Sequence, residues 1–186
     1  MQPASPTQAP VAAPSPAAPA PPSLPPQPPA PDTSRVRALA DRLAASFPSV
    51  KVDYIRERRL KVTLPPAEMK AAALFVRDQL GFGHLNVVGG TDYPAQGEFE
   101  VIYFAGSPVA SGQEDLVVQL AERVKKDSPT APSLVEVWTA AEYHERETFE
   151  MLGITFDGHP DLRRILLPED WSDIPPLRKD YVSPGR

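Results

Sequence analysis

Apolar residues recur at helical spacing over 34–47, where Val36, Leu39, Ala40, Leu43 and Phe47 fall on one stripe. Ser34 is the expected cap of that helix and Pro48 its stop. Two short strands follow over Val50–Ile55 and Leu60–Leu64, joined by a charged turn. In the first, Val50, Val52 and Tyr54 alternate with Lys51 and Asp53, the pattern of a half-buried strand. Pro66-Ala67-Glu68 opens a second helix, which runs to Leu80 and stops at Gly81. Leu85–Val88 and Glu98–Phe104 read as strands around a turn containing Gly89-Gly90 and Gly97. Asp115–Lys126 fits strand or helix, and the reading adopted is strand running into helix. The pattern is that of a single α+β domain with a small mixed or antiparallel sheet and flanking helices.

The ends of one further helix, within Trp138–Gly153, are written in full. Thr139 and Glu142 have capping-box spacing, and Trp138 and Tyr143 that of a hydrophobic staple. Gly153 suits a left-handed cap, with Ile154 folding back onto Phe149. The interior is crowded with Glu142, Glu145, Glu147 and Glu150 beside His144 and Arg146, and its apolar stripe is narrow. These charges suit either a solvated face or a helix whose carboxylates meet arginines on another protein.

After Ile154, Pro160, Pro168, Pro175 and Pro176 exclude a long helix or central strand. Yet Ile165, Leu166, Leu167, Trp171 and Leu177 are strongly apolar, and Arg163, Arg164, Arg178 and Lys179 are interleaved with them. Such a segment reads as an extended arm lying along a partner, protected only when that partner is bound. The plainer alternative is an arm wrapped over its own domain. The chain thus divides into a tail over 1–32, a domain over 33–153 and an arm over 154–186.

Composition narrows the function. The chain has 186 residues and 25 prolines, thirteen of them within the first 31 residues, where no side chain is charged. That tail is expected to be disordered, with Pro25 and Pro28 forming a PxxP. Zero cysteine excludes disulfides, a thiolate nucleophile and cysteine-held zinc or iron–sulfur clusters in this chain. A net charge of −5 argues against nucleic-acid binding. His144-Glu145-Arg146-Glu147 fails the HExxH pattern because Thr148 stands where the second histidine is needed. A stand-alone metal-dependent hydrolase would have to draw on His144, Glu147 and His159. Phosphate-loop, dinucleotide and nucleophile-elbow motifs are missing, so no self-contained active site is legible.

Two stretches carry a resemblance. Glu145–Trp171 reads ERETFEMLGITFDGHPDLRRILLPEDW, and Pro176–Tyr181 reads PLRKDY. Both resemble the family of the 30 kDa, or C, subunit of NADH:quinone oxidoreductase, the respiratory complex I. Val137-Trp138, Asp92-Tyr93 and Phe99-Glu100-Val101 extend the likeness over about 35–182. The chain departs from the family pattern at Thr139, Tyr143, Glu150 and Leu152, and it is one residue longer between Trp171 and Pro176. The resemblance implies a non-catalytic scaffold subunit, peripheral to the membrane on the cytoplasmic side of a bacterial cell. It implies no cofactor in this chain, with FMN, Fe-S clusters and quinone held by partners. The implied partners are the complex I subunits D, B and I, of which D forms the quinone site and B and I are neighbouring Fe-S subunits. Glu145, Arg146, Glu147, Arg163, Arg164, Trp171, Arg178, Lys179 and Asp180 are then the expected interface. His159, in the turn Gly158-His159-Pro160, either aims the arm or donates near the quinone-site subunit. An equivalent subunit of a membrane-bound hydrogenase or another donor-linked complex is the related alternative.

Overall fold

The computed structural model of the chain describes residues 32–107 and 112–183. The proline-rich stretch read as a disordered tail, with its PxxP, lies outside the described residues.

Helix α1 (Ser34–Ser46) buries Val36, Leu39, Ala40 and Leu43, the stripe the spacing predicts. Its cap differs from expectation. Thr33 stands at the cap position, and the Asp32 carboxylate accepts from the Ser34 N–H at 2.9 Å. A carboxylate outdoes a hydroxyl there because it also meets the positive end of the helix dipole.

Strands β1 (Lys51–Arg56) and β2 (Arg59–Thr63) pair antiparallel, with a register shift between Val52 and Tyr54. The irregularity breaks the expected alternation. Val52 is left exposed, Ile55 packs on the core, and the Tyr54 hydroxyl donates to Gln119 at 2.8 Å. Helix α2 (Pro66–Asp78) buries Met69, Ala72, Ala73 and Val76. Gly81, at φ +83°, turns the chain so that the Phe82 N–H reaches the Val76 carbonyl at 3.1 Å.

Strand β3 (His84–Tyr93) runs straight through Gly89-Gly90, where the pattern predicts a turn. Space, not turning, accounts for Gly90: a Cβ there would lie 2.2 Å from the Leu152 methyl of the last helix. The turn comes later, at Gly97 (φ +65°), before β4 (Glu98–Gly106). Strand β5 (Val117–Lys125) remains a strand throughout, correcting the expected passage into helix. Neighbours on both edges explain this. It pairs parallel with β2 and antiparallel with β4, in the order β1-β2-β5-β4-β3. Leu116, Val117 and Val118 form a short apolar run that periodicity alone does not separate from a helix.

β6 (Thr130–Pro132) and β7 (Thr155–Asp157) form a second, parallel pair. Between them lies α3 (Ala141–Leu152). Ile154 and Phe156 are buried in the common core, so the first residues assigned to the arm are integral to the domain. The sheet sends Phe99, Val101, Tyr103, Val118, Leu120 and Val124 into the same core as the buried stripes of α1 and α2. The fold is α+β with a mixed sheet, as the pattern predicts.

Candidate functional site: helix α3 and the C-terminal arm

Helix α3 starts later than its sequence signals. Ala140 is the cap residue, no side chain caps the helix, and Thr139 takes part through its carbonyl, which accepts from the Glu142 N–H at 3.2 Å. The expected capping box is therefore not formed, because Val137, Trp138 and Ala141 all bond back to Leu134 or Trp138 carbonyls in preceding turns. Nor is the staple: Trp138 is buried and donates its indole N–H to the Phe82 carbonyl at 3.1 Å, whereas Tyr143 is exposed. The C-terminal signal holds, with Gly153 at φ +78°.

The carboxylates of α3 divide between three surroundings. Glu147 is exposed. Glu145 is wholly buried inside this chain, so it does not reach a partner directly, contrary to its expected place at an interface. Its carboxylate accepts from the Tyr103 hydroxyl (3.0 Å), the Leu134 N–H (2.8 Å) and the Ser133 hydroxyl (2.6 Å). Burial raises the pKa of Glu145, and those three donors oppose the rise. Glu122 of β5 is also fully buried, and neither of its oxygens has a hydrogen-bond partner among the described residues. Burial, followed by the charge of Glu145, pushes its carboxyl up to about 8.

Glu150 serves the arm. Its carboxylate accepts from the backbone N–H groups of Ile165 (3.1 Å), Leu166 (2.9 Å) and Leu167. Burial alone would raise its pKa, but the three amides win and the net shift is downward. One turn earlier, Arg146 donates to the Arg163 carbonyl at 3.0 Å and the Arg164 carbonyl at 3.4 Å. Residues 163–167 belong to no helix or strand, so these two side chains supply main-chain partners that a ladder would otherwise give.

A second anchor holds the PLRKDY segment. The Leu177 N–H donates to the Met151 carbonyl at 2.9 Å, and the Lys179 N–H to Asp92 at 2.8 Å. Asp92 is buried on β3 and paired with Lys126 at 3.0 Å. Burial opposes its ionisation, yet the Lys179 amide and Lys126 carry its pKa below the ordinary value. Asp180 lies 3.6 Å from Lys126 and 3.4 Å from Arg178, whose guanidinium sits 5.4 Å above the Phe99 ring. Trp171 packs at a tilt against Tyr181, their ring centroids 6.1 Å apart.

His159 bonds through both ring nitrogens to main chain. Nδ1 accepts from the Asp161 N–H at 3.0 Å, which leaves Nε2 to donate to the Glu142 carbonyl at 3.1 Å. It therefore ties the post-β7 turn to α3. His144, Glu147 and His159 do not converge, and no group of three or more metal-ligating side chains exists among the described residues.

The arm thus turns its main chain inward and its side chains outward. Leu166 and Leu177 are 60% and 59% exposed, and Ile165, Ile174 and Val182 are exposed with them. Arg163 is open to solvent, paired with Asp161 at 2.8 Å. The structure therefore seats the main chain of Arg163 and Arg164 on Arg146, next to the amides held by Glu150, and brings Arg178, Lys179 and Asp180 around Asp92 and Lys126. Asp92, Lys126, Tyr103, Ser133 and Glu122 are contributors that the sequence reading misses. Glu122 alone leaves a signal: it shares the period of Val118, Leu120 and Val124, and so falls on the apolar face of a strand.

These features define a class: an α+β body that fastens a proline-broken arm to itself and leaves the arm's side chains free for contact. Residues 62–186 match the model of the respiratory-chain NADH dehydrogenase 30 Kd subunit, and the chain belongs to that family. It is 35% identical over 147 residues to the C subunit of the F(420)H(2) dehydrogenase of Methanosarcina mazei, covering 78% of this chain and 90% of the relative. It is 42% identical over 143 residues to the C subunit of the NADH-quinone oxidoreductase of Roseiflexus castenholzii, covering 75% and 79%. A solved trypsin-resistant fragment of Nqo5 superposes with a TM-score of 0.55 at 27% identity, covering 69% of this chain and 98% of the fragment. Among the described residues no helix is long and apolar enough to cross a membrane.

Proposed function

We propose that this chain is a non-catalytic scaffold subunit of a proton-translocating NADH:quinone oxidoreductase, in its peripheral arm on the cytoplasmic side of the membrane. It docks the quinone-site subunit and the adjacent Fe-S subunits. FMN, the clusters and quinone belong to those partners, and electrons pass through them rather than through this chain. Scaffolding is chemistry by geometry, because electron transfer depends steeply on how far apart the carriers are held.

The observation that carries this reading is the inward main chain and outward apolar side chains of residues 163–182. A surface fixed before contact loses less entropy on association than an unordered arm. The donor is left open by the likeness to the F(420)H(2) dehydrogenase subunit, since one scaffold then serves complexes fed differently.

Co-expression with a tagged quinone-site subunit tests the proposal. Arg146→Ala and Arg178→Ala should reduce the captured chain well below wild type, while Lys51→Ala, at an exposed position, should not. Equal capture of wild type and all three variants would refute the docking role. Assaying the whole complex purified from native membranes with NADH and with F(420)H(2) separates the two donor readings.

A further inference from the structure

Two buried carboxyl groups lie on either side of Tyr103: Glu145 accepts from its hydroxyl, and Glu122 stands two positions further along the β4–β5 ladder, on the same face. Their surroundings are unequal. Glu145 has three donors aimed at it, whereas Glu122 has none among the described residues. Ionisation is favoured where donors converge and opposed where they are missing, most of all when the neighbouring charge has the same sign. Glu122 occupies the buried face of β5, in register with Val101 of β4.

The elements packed around Glu122 bring no cation to it. From β4 comes Tyr103, whose hydroxyl is committed to Glu145. From α3 comes Glu145 itself, with His159 acting on that carboxylate from the turn beyond β7. α2 contributes Met69, Ala72, Ala73 and Val76, while its Lys70 and Arg77 pair at the surface with Glu136 and Asp78. β6 contributes Ala131. Lys61 and Arg123 are engaged with Glu100.

We propose that Glu122 is a built-in proton site: it holds a proton at neutral pH, and losing it in mildly alkaline solution unseats α3 and, with it, the arm. Deprotonation would set a second negative charge beside Glu145 with nothing to neutralise it. β5 is fixed by strands on both edges, so α3 is the element that yields. Arg146 and Glu150 travel with it, and they are the anchors of residues 163–167.

The folded chain binds this proton more tightly than the unfolded chain, whose carboxyl titrates near 4.5. The contribution is complete below that value, declines as the pH rises, and is gone above about 8. Between about pH 6 and about pH 9 this group alone should raise the unfolding equilibrium constant on the order of a hundredfold.

The test compares the full wild-type chain with Glu122→Gln, which mimics the protonated group. Urea unfolding at both pH values should show the hundredfold change in wild type and its loss in the variant. Trypsin cleavage after Arg163 and Arg164, taken as a ratio to the variant, should rise with pH. Infrared titration of wild type, with Glu122→Gln to assign the band, should show a protonated carboxyl at neutral pH that disappears in alkali. Glu122→Asp, which keeps a carboxyl and shifts its band, makes the assignment if Glu122→Gln folds poorly. An ionised Glu122 at about pH 6, or identical pH dependence in the two proteins, overturns the proton site. A cleavage ratio that stays flat overturns its link to the arm.

Discussion

A carboxylate that accepts three consecutive amide hydrogens, as Glu150 does, acts as a small substitute for a strand edge. Its bonds are charge-assisted, so the neutral amide of Glu150→Gln cannot replace them fully. The substitution should lower stability by about 1–3 kcal/mol and speed trypsin cleavage after Arg163 and Arg164; unchanged cleavage would remove Glu150 from its anchoring role. Acid should mimic the substitution. The folded pKa of Glu150 is depressed, so its contribution is present above the ordinary 4.5 and is lost as pH falls through the lowered value. Helical spacing puts Glu150 on a charged helix but does not tell its role from that of Glu147. Both are glutamates one turn apart, and only the path of a proline-broken segment decides which one meets amides.

Packing between elements turns on the notch at Gly90. There α3 approaches β3 so closely that a Leu152 methyl fills the place of a Cβ, with the Thr148 methyl 3.2 Å from it. Gly90→Ala should cost about 1–3 kcal/mol by overpacking. Leu152→Ala in the same chain should recover part of that loss, a coupling that a double-mutant cycle in urea measures. Strict additivity would mean that the notch does not set the approach. Element type is legible wherever one face is apolar and the other polar, as in α1 and α2. It fails at β5, where Leu116, Val117 and Val118 run together and the buried Gln119 and Glu122 break the alternation, and at Gly89-Gly90, where glycine serves a neighbouring helix instead of a turn. The missing capping box at Thr139 has the same origin. The local signal is real, but turns anchored on Leu134 and Trp138 claim those residues first.

Across the whole molecule, the body and the arm are one fabric. Main-chain bonds from residues 165–167, 177 and 179 to α3 and Asp92 predict slow amide exchange there in the free chain. Partner-dependent protection is the expectation from sequence, because prolines and scattered apolar residues disclose that an arm is extended but not what it lies on. Hydrogen-exchange mass spectrometry of the isolated chain decides between them; full exchange of these amides within seconds would favour an arm ordered only by its partner. The family motifs are legible as a string, yet Glu145, Arg146 and Glu150 in that string make their hydrogen bonds inside the chain. The strand order has a bearing on biosynthesis. The hairpins β1–β2 and β3–β4 can each close locally, but β2 and β4 meet only through β5, which the ribosome delivers after both. Until Val117–Lys125 emerges, two ribbons present open hydrogen-bonding edges, the kind of surface that invites mispairing with other nascent chains. The keystone strand is thus also the step at which a stalled or truncated product is most exposed to aggregation.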